Sequence, residues 1–141
     1  MQTPLSLKPP VAITVPAVAW PFRDELIDVF ATQERISRSR STRVIDALFH
    51  FLAVAATFRG RNLRPADEIS AAWMLFVAYT KEYTEFCDEL GGYIHFRPAT
   101  SPRTIATTTP ADAINLMEKF EIPFNKMVWM PECVSPETVK S

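Results

Sequence analysis

Reactive side chains are scarce in this chain. Its 141 residues hold two cysteines, Cys87 and Cys133, and two histidines, His50 and His95. Two cysteines are too few for a disulfide framework, and a reducing compartment suits them, with a single bridge between the pair left open. A structural zinc site needs four ligands and a catalytic one three plus water. With no Cys-x-x-Cys and no His-x-x-x-His spacing, no metal and no cofactor is expected. Glycine is nearly absent at three residues, and none builds a phosphate-cradling loop. Neither sign of charge dominates: 15 Lys and Arg against 16 Asp and Glu leave −1, which gives no global pull toward nucleic acid. No window approaches the ~18 apolar residues of a membrane span. The start, "MQTPLSLKPPVAITVPAVAWPF", lacks the unbroken apolar stretch of a signal peptide, because Pro9, Pro10, Pro16 and Pro21 divide it. A soluble, cytoplasmic protein is the expectation.

What the chain does have is apolar material, 48% hydrophobic and 11% aromatic, enough for one domain with a real core. Residues 1–20 read as an extended, proline-rich arm, since proline fixes φ and biases its predecessor away from helix. The arm is too apolar for a solvated tail and should lie against its own domain, the favoured case, or against a partner. Val11, Ile13 and Val15 alternate as strand addition or groove docking requires, and with Trp20 they mark a candidate interaction arm.

Residues 21–131 read as a single helical domain. A first helix starts at Pro21, with Phe22, Leu26, Val29, Phe30 and Ile36 on one stripe. "SRSRSTR" reads as a polar connector, after which Ser41 or Thr42 caps a second helix running through Phe58, with Gly60 as its C-cap. The wide apolar face of that helix predicts a nearly central position. A third helix is predicted from about Ala66 to Leu90, stopped by Gly91-Gly92. Thr109, Pro110 and Asp112 form the start of a fourth. "IPFNKMVWMPEC" reads as irregular chain anchored by Trp129, and 132–141 as a flexible tail. Strand signals are confined to the arm and the neighbourhood of Tyr93. The fold class is therefore all-α, a bundle of about four helices with an extended arm and an irregular tail.

The ordered set Phe51-Leu52, Pro65, Trp73, Thr80, Tyr83, Phe86-Cys87, Gly92, His95, Pro98, Phe120, Pro123 and Trp129 resembles the helical domain of the glycine-rich domain-containing protein-like family. The likeness spans about residues 45–131 and implies a small helical domain, stand-alone in bacteria and fused in plants. The family pattern implies an Asp and a His four residues apart around Trp73, sharing one helix face. Ser70 and Met74 stand there instead, and Phe96 stands where a second C-terminal His is implied. The resemblance thus keeps Trp73, Tyr83, Cys87 and His95 as a frame without the polar pair.

Cys87 and His95 are the weak candidates for a metal site or a nucleophile pair. Against them, Cys87 falls in a C-terminal helical turn beside Glu85, Asp88 and Glu89, where the dipole disfavours a thiolate, and it reads first as a small buried hydrophobe. His95 reads as a ring bonded to nearby backbone, and His50 as a surface partner of Asp46. Arg38, Arg40 and Arg43 at one end of the second helix, and Arg61 and Arg64 at the other, make two basic clusters rather than one stripe, suited to solvent or an acidic partner more than to nucleic acid. The reading that results is a non-enzymatic binding or accessory protein with a protein partner. The alternative is a metal-dependent or Cys/His-dependent enzyme subunit completed by a second chain. Self-association is left open.

Overall fold

The apolar stripes do fold as helices. A computed structural model describes residues 13–18, 20–59, 61, 63–96 and 109–131, and among them the chain forms six helices and no strand. These are α1 (Trp20–Glu34), α2 (Arg38–Thr57), α3 (Asp67–Ala78), α4 (Thr80–Glu89), α5 (Pro110–Lys119) and α6 (Lys126–Trp129). The architecture is all-α, as the periodicity requires. Val11, Gly60, Pro98, Cys133 and the tail 132–141 lie outside the described residues.

Ten of the twenty residues of α2 are buried, which makes it the central rod. α1, α3 and α6 pack around it. Leu26, Ile27 and Phe30 of α1, Leu48, Phe51 and Leu52 of α2, and Ile69 and Phe76 of α3 share one core, each at most 1% exposed. Burying side chains of this size contributes about 1.5–3 kcal/mol apiece and outweighs the modest intrinsic propensity of the β-branched positions.

Three boundaries depart from the expected ones. α2 begins about one turn early: Ser37, not Ser41 or Thr42, is the cap, its Oγ accepting from the Arg40 N–H at 3.0 Å. Ser41 is fully buried inside the helix, and its Oγ donates to the Ile27 carbonyl of α1 at 2.7 Å. The expected polar connector is therefore helical and docked. Second, the single helix expected over 66–90 is broken at Tyr79 (φ −88°, ψ 72°). Tyr79 is held from outside, with its ring edge-on to Phe22 at 5.1 Å and its hydroxyl donating to Glu25 at 3.1 Å, and the chain turns to meet α1. Third, residues 126–129 are not irregular: Asn125 caps a single turn, its Oδ1 accepting from the Met127 N–H at 2.9 Å.

The C-termini of α1, α4 and α5 close in the same way. The N–H groups of Ile36, Gly92 and Ile122 donate back five residues to the carbonyls of Ala31, Cys87 and Met117 at 3.1, 3.0 and 2.8 Å. The residue before each donor is left-handed. Gly91 (φ 99°) takes that conformation without a Cβ penalty, whereas Arg35 (φ 58°) and Glu121 (φ 59°) take it with one. At the other end of α5, Thr109 is the cap as expected, its N–H donating to the Asp112 carboxylate at 3.0 Å.

The described part of the arm lies on its own domain, where Ile13 and Val18 pack against the core while Val15 stays 39% exposed. Trp20, read as part of the arm, is the first residue of α1.

Candidate functional site

Trp73 on α3 and Tyr83 on α4 meet across the bend at Tyr79, both buried. The Trp73 indole N–H donates to the Tyr83 hydroxyl at 2.9 Å, and that hydroxyl donates to the Ile94 carbonyl. One phenol thus satisfies a buried donor and a half-buried acceptor and pins the segment that leaves the glycine turn. Burial pushes the Tyr83 phenol far above its ordinary range. Phe51 and Phe96 both stand edge-on to Trp73, at 5.4 and 5.0 Å, and Phe76 stands edge-on to Tyr83 at 5.0 Å, so the frame is a packed aromatic cluster.

Cys87 sits in this cluster fully buried. Burial pushes its thiol up, against opposing effects of the Ile94 backbone, the Tyr83 hydroxyl and Arg59. A protonated, enclosed sulfur is a poor nucleophile. His95 is exposed, its ring edge-on to Tyr93 at 4.9 Å, and Tyr93 in turn is edge-on to Tyr83 at 5.3 Å. The imidazole therefore rests against a neighbouring ring, where the sequence suggested a backbone group, and it is not among the groups acting on the thiol. Among the described residues no group of three or more His, Cys, Asp or Glu side chains is arranged to hold a metal ion. No described helix is long and apolar enough to cross a membrane.

The arginines of the first basic cluster are largely paired. Arg38 donates to Asp24 and Asp28 of α1, and Arg40 grips Glu68 of α3 through two contacts, 2.8 and 2.9 Å. Beyond α2, Arg61 is exposed and Arg64 half-buried, its buried Nε without a partner among the described residues. Asp46 is held by Arg23 at 2.5 Å, so its partner is not His50 as the spacing suggested. His50 is half-buried, and burial lowers its pKa below the ordinary 6.5.

His50 lines a groove of about 360 Å³ between α2 and the chain around α6, together with Arg43 and Asp46 of α2 and Phe124, Asn125 and Trp129. Sequence reading missed this feature. Its only forward signal was Trp129 as an anchor. A second hollow, of about 210 Å³, lies where Ala17 and Val18 of the arm cross Phe22 and Phe86 beneath Glu82, Glu85 and Glu89.

Compared with known proteins, the chain matches no family model, no curated protein and no solved structure.

Proposed function

We propose that this chain is a non-enzymatic helical binding protein, acting through protein–protein contacts in the cytoplasm, where its thiols would stay reduced. The observation that carries this reading is the fate of the reactive groups in the aromatic frame. Trp73 and Tyr83 spend their polar atoms on each other and on the Ile94 carbonyl, and the Cys87 thiol is enclosed and held protonated. Apolar side chains point outward instead: Met74 is 58% exposed, Met127 46% and Tyr93 43%. Met74 stands at the position where the family resemblance implies a histidine. The likeness supports the same reading, with the chain as a divergent member of the glycine-rich domain-containing protein-like family. Of its matched positions, Phe51, Leu52, Pro65, Trp73, Tyr83, Phe86, Cys87 and Trp129 are buried, so packing is what the likeness retains.

Two measurements test it. In a Cys133→Ser background, Cys87 reacts with Ellman's reagent at neutral pH only as fast as the fold opens; immediate labelling would revive the nucleophile reading. Purification at native level from the source cell yields a stoichiometric protein partner, and a monomer carrying a tightly bound small molecule or metal would sink the proposal.

A further inference from the structure

Among the arginines near the start of α2, Arg43 is disposed differently from its neighbours. Arg38 and Arg40 each close on carboxylates, whereas the Arg43 Nη1 donates to the neutral Ser39 Oγ at 3.0 Å. Among the described residues no carboxylate lies within ion-pair distance of it. Its stem is half-buried while its contact to Ser39 lies at the surface, so the guanidinium is open to an arriving anion and has no counter-charge among the described residues.

Arg43 and His50 lie seven residues apart on one face of α2, and that face forms one wall of the groove. Beside Asn125 the rest of the lining is mainly aromatic: Phe124 stands edge-on to Trp129 with ring centres 6.4 Å apart. The Trp129 indole N–H is buried and has no acceptor among the described residues. That nitrogen is sealed from solvent, so a ligand in the groove meets the ring and not the donor. One acid, Asp46, also lines the groove, and its charge is met by the Arg23 guanidinium, which leaves that of Arg43 in excess. Burial keeps His50 uncharged near neutrality, so the imidazole offers hydrogen bonding without adding charge. The groove therefore combines a guanidinium without a carboxylate partner among the described residues and an aromatic wall. Its volume, about 360 Å³, suits a few residues of a peptide.

We propose that this groove is where the chain takes its protein partner, and that it receives an acidic segment in which a carboxylate neighbours a large apolar side chain. The carboxylate pairs with the Arg43 guanidinium, and the apolar neighbour lies on Phe124 and Trp129. The inference rests on the binding reading above and adds to it a place and a partner chemistry.

The test uses the full chain and two fluorescein-labelled peptides, acetyl-Glu-Glu-Phe-Leu-Glu-amide and its Gln-for-Glu counterpart, followed by anisotropy. The acidic peptide is expected to bind at least about tenfold more tightly, since a charge-assisted hydrogen bond outweighs a neutral one by that much. Arg43→Gln removes the preference, bringing the acidic peptide to the affinity of its Gln counterpart, and Arg43→Lys restores part of it. Both variants are checked for native circular dichroism, and Phe124→Ala, which weakens both peptides, supplies a second wall of the site. Equal binding of the two peptides, a preference that survives Arg43→Gln, or binding of neither peptide overturns the proposal. Retrieval from the source cell separates the two levels. A partner held equally by wild type and Arg43→Glu removes the groove and leaves the binding reading standing; wild type retrieved without any partner removes the binding reading itself.

Discussion

Arg40 and Glu68 join the first turn of α2 to the first turn of α3 through a two-pronged ion pair, Nε to Oε2 at 2.8 Å and Nη2 to Oε1 at 2.9 Å. The hydrogen bonds to Glu68 raise the already high pKa of the guanidinium, so the pair persists across the accessible pH range. Both side chains keep solvent contact, 43% and 30% exposed, which limits the gain. Arg40→Gln is expected to lower the free energy of unfolding by about 0.5–1 kcal/mol, and a double-mutant cycle with Glu68→Gln to return a coupling of similar size that shrinks in molar salt. Urea denaturation at two ionic strengths measures both.

Removal of one oxygen from the frame is expected to cost more. Tyr83→Phe leaves the Trp73 N–H and the Ile94 carbonyl without their shared partner, at about 1–3 kcal/mol. The same phenol predicts alkaline behaviour. Unfolded tyrosine ionises near its ordinary value of 10.0, while burial raises Tyr83 in the native chain, so above about pH 10 the unfolded state releases a proton that the native state keeps. Stability is complete below pH 10 and falls as the pH climbs beyond it. Absorbance near 295 nm should show the Tyr83 phenolate appearing only as circular dichroism is lost.

On the acid side the sensitive group is His50. Its pKa is lowered by burial from the ordinary 6.5, so the unfolded chain takes up a proton before the native chain does. Its contribution is intact above about pH 6.5 and is lost as the pH falls through the lower native value. His50→Leu is expected to flatten this part of the stability profile. Chemical denaturation of wild type and variant between about pH 7.5 and pH 5 checks it, and parallel profiles would show that His50 carries none of the acid sensitivity.

Two helix ends hold a side chain where glycine is at ease. Glu121→Gly and Arg35→Gly each relieve a left-handed residue, φ 59° and 58°, worth roughly 1–2 kcal/mol, at the cost of a looser unfolded chain. The net expectation is a gain of about 0.5–1 kcal/mol apiece, additive because the sites belong to different helices. Thermal unfolding of the single and double variants decides it.

Local chemistry was legible wherever it governed the structure by itself. Gly91 and Gly92 stop α4 as glycines should, and Thr109, Pro110 and Asp112 start α5. The start of α2 was misread because Ser37, Ser41 and Thr42 are equally good caps, and what separates them is the Ile27 carbonyl on another helix. The break at Tyr79 was hidden for a similar reason. The apolar spacing runs straight through it, no glycine or proline marks it, and Glu25 and Phe22 supply the pull from α1.

The candidate sites follow the same division. Burial of Trp73, Tyr83 and Cys87 could be read from their helical spacing. The ring partner of His95 and the pairing of Asp46 with Arg23 depend on how separate segments approach, which spacing does not encode. The groove at Arg43 needs α2 and α6 together, and four residues of helix are too short to announce themselves by period.

α4 has no basic residue in its own last turn, and the cation there is borrowed: Arg59, beyond the end of α2, donates through Nη2 to the carbonyls of Leu90 and Gly92 at 3.2 and 2.8 Å. The closing charge of α4 is thus a tertiary contact and no property of the helix alone. The glycine turn keeps it only while the far end of α2 stays docked beside it.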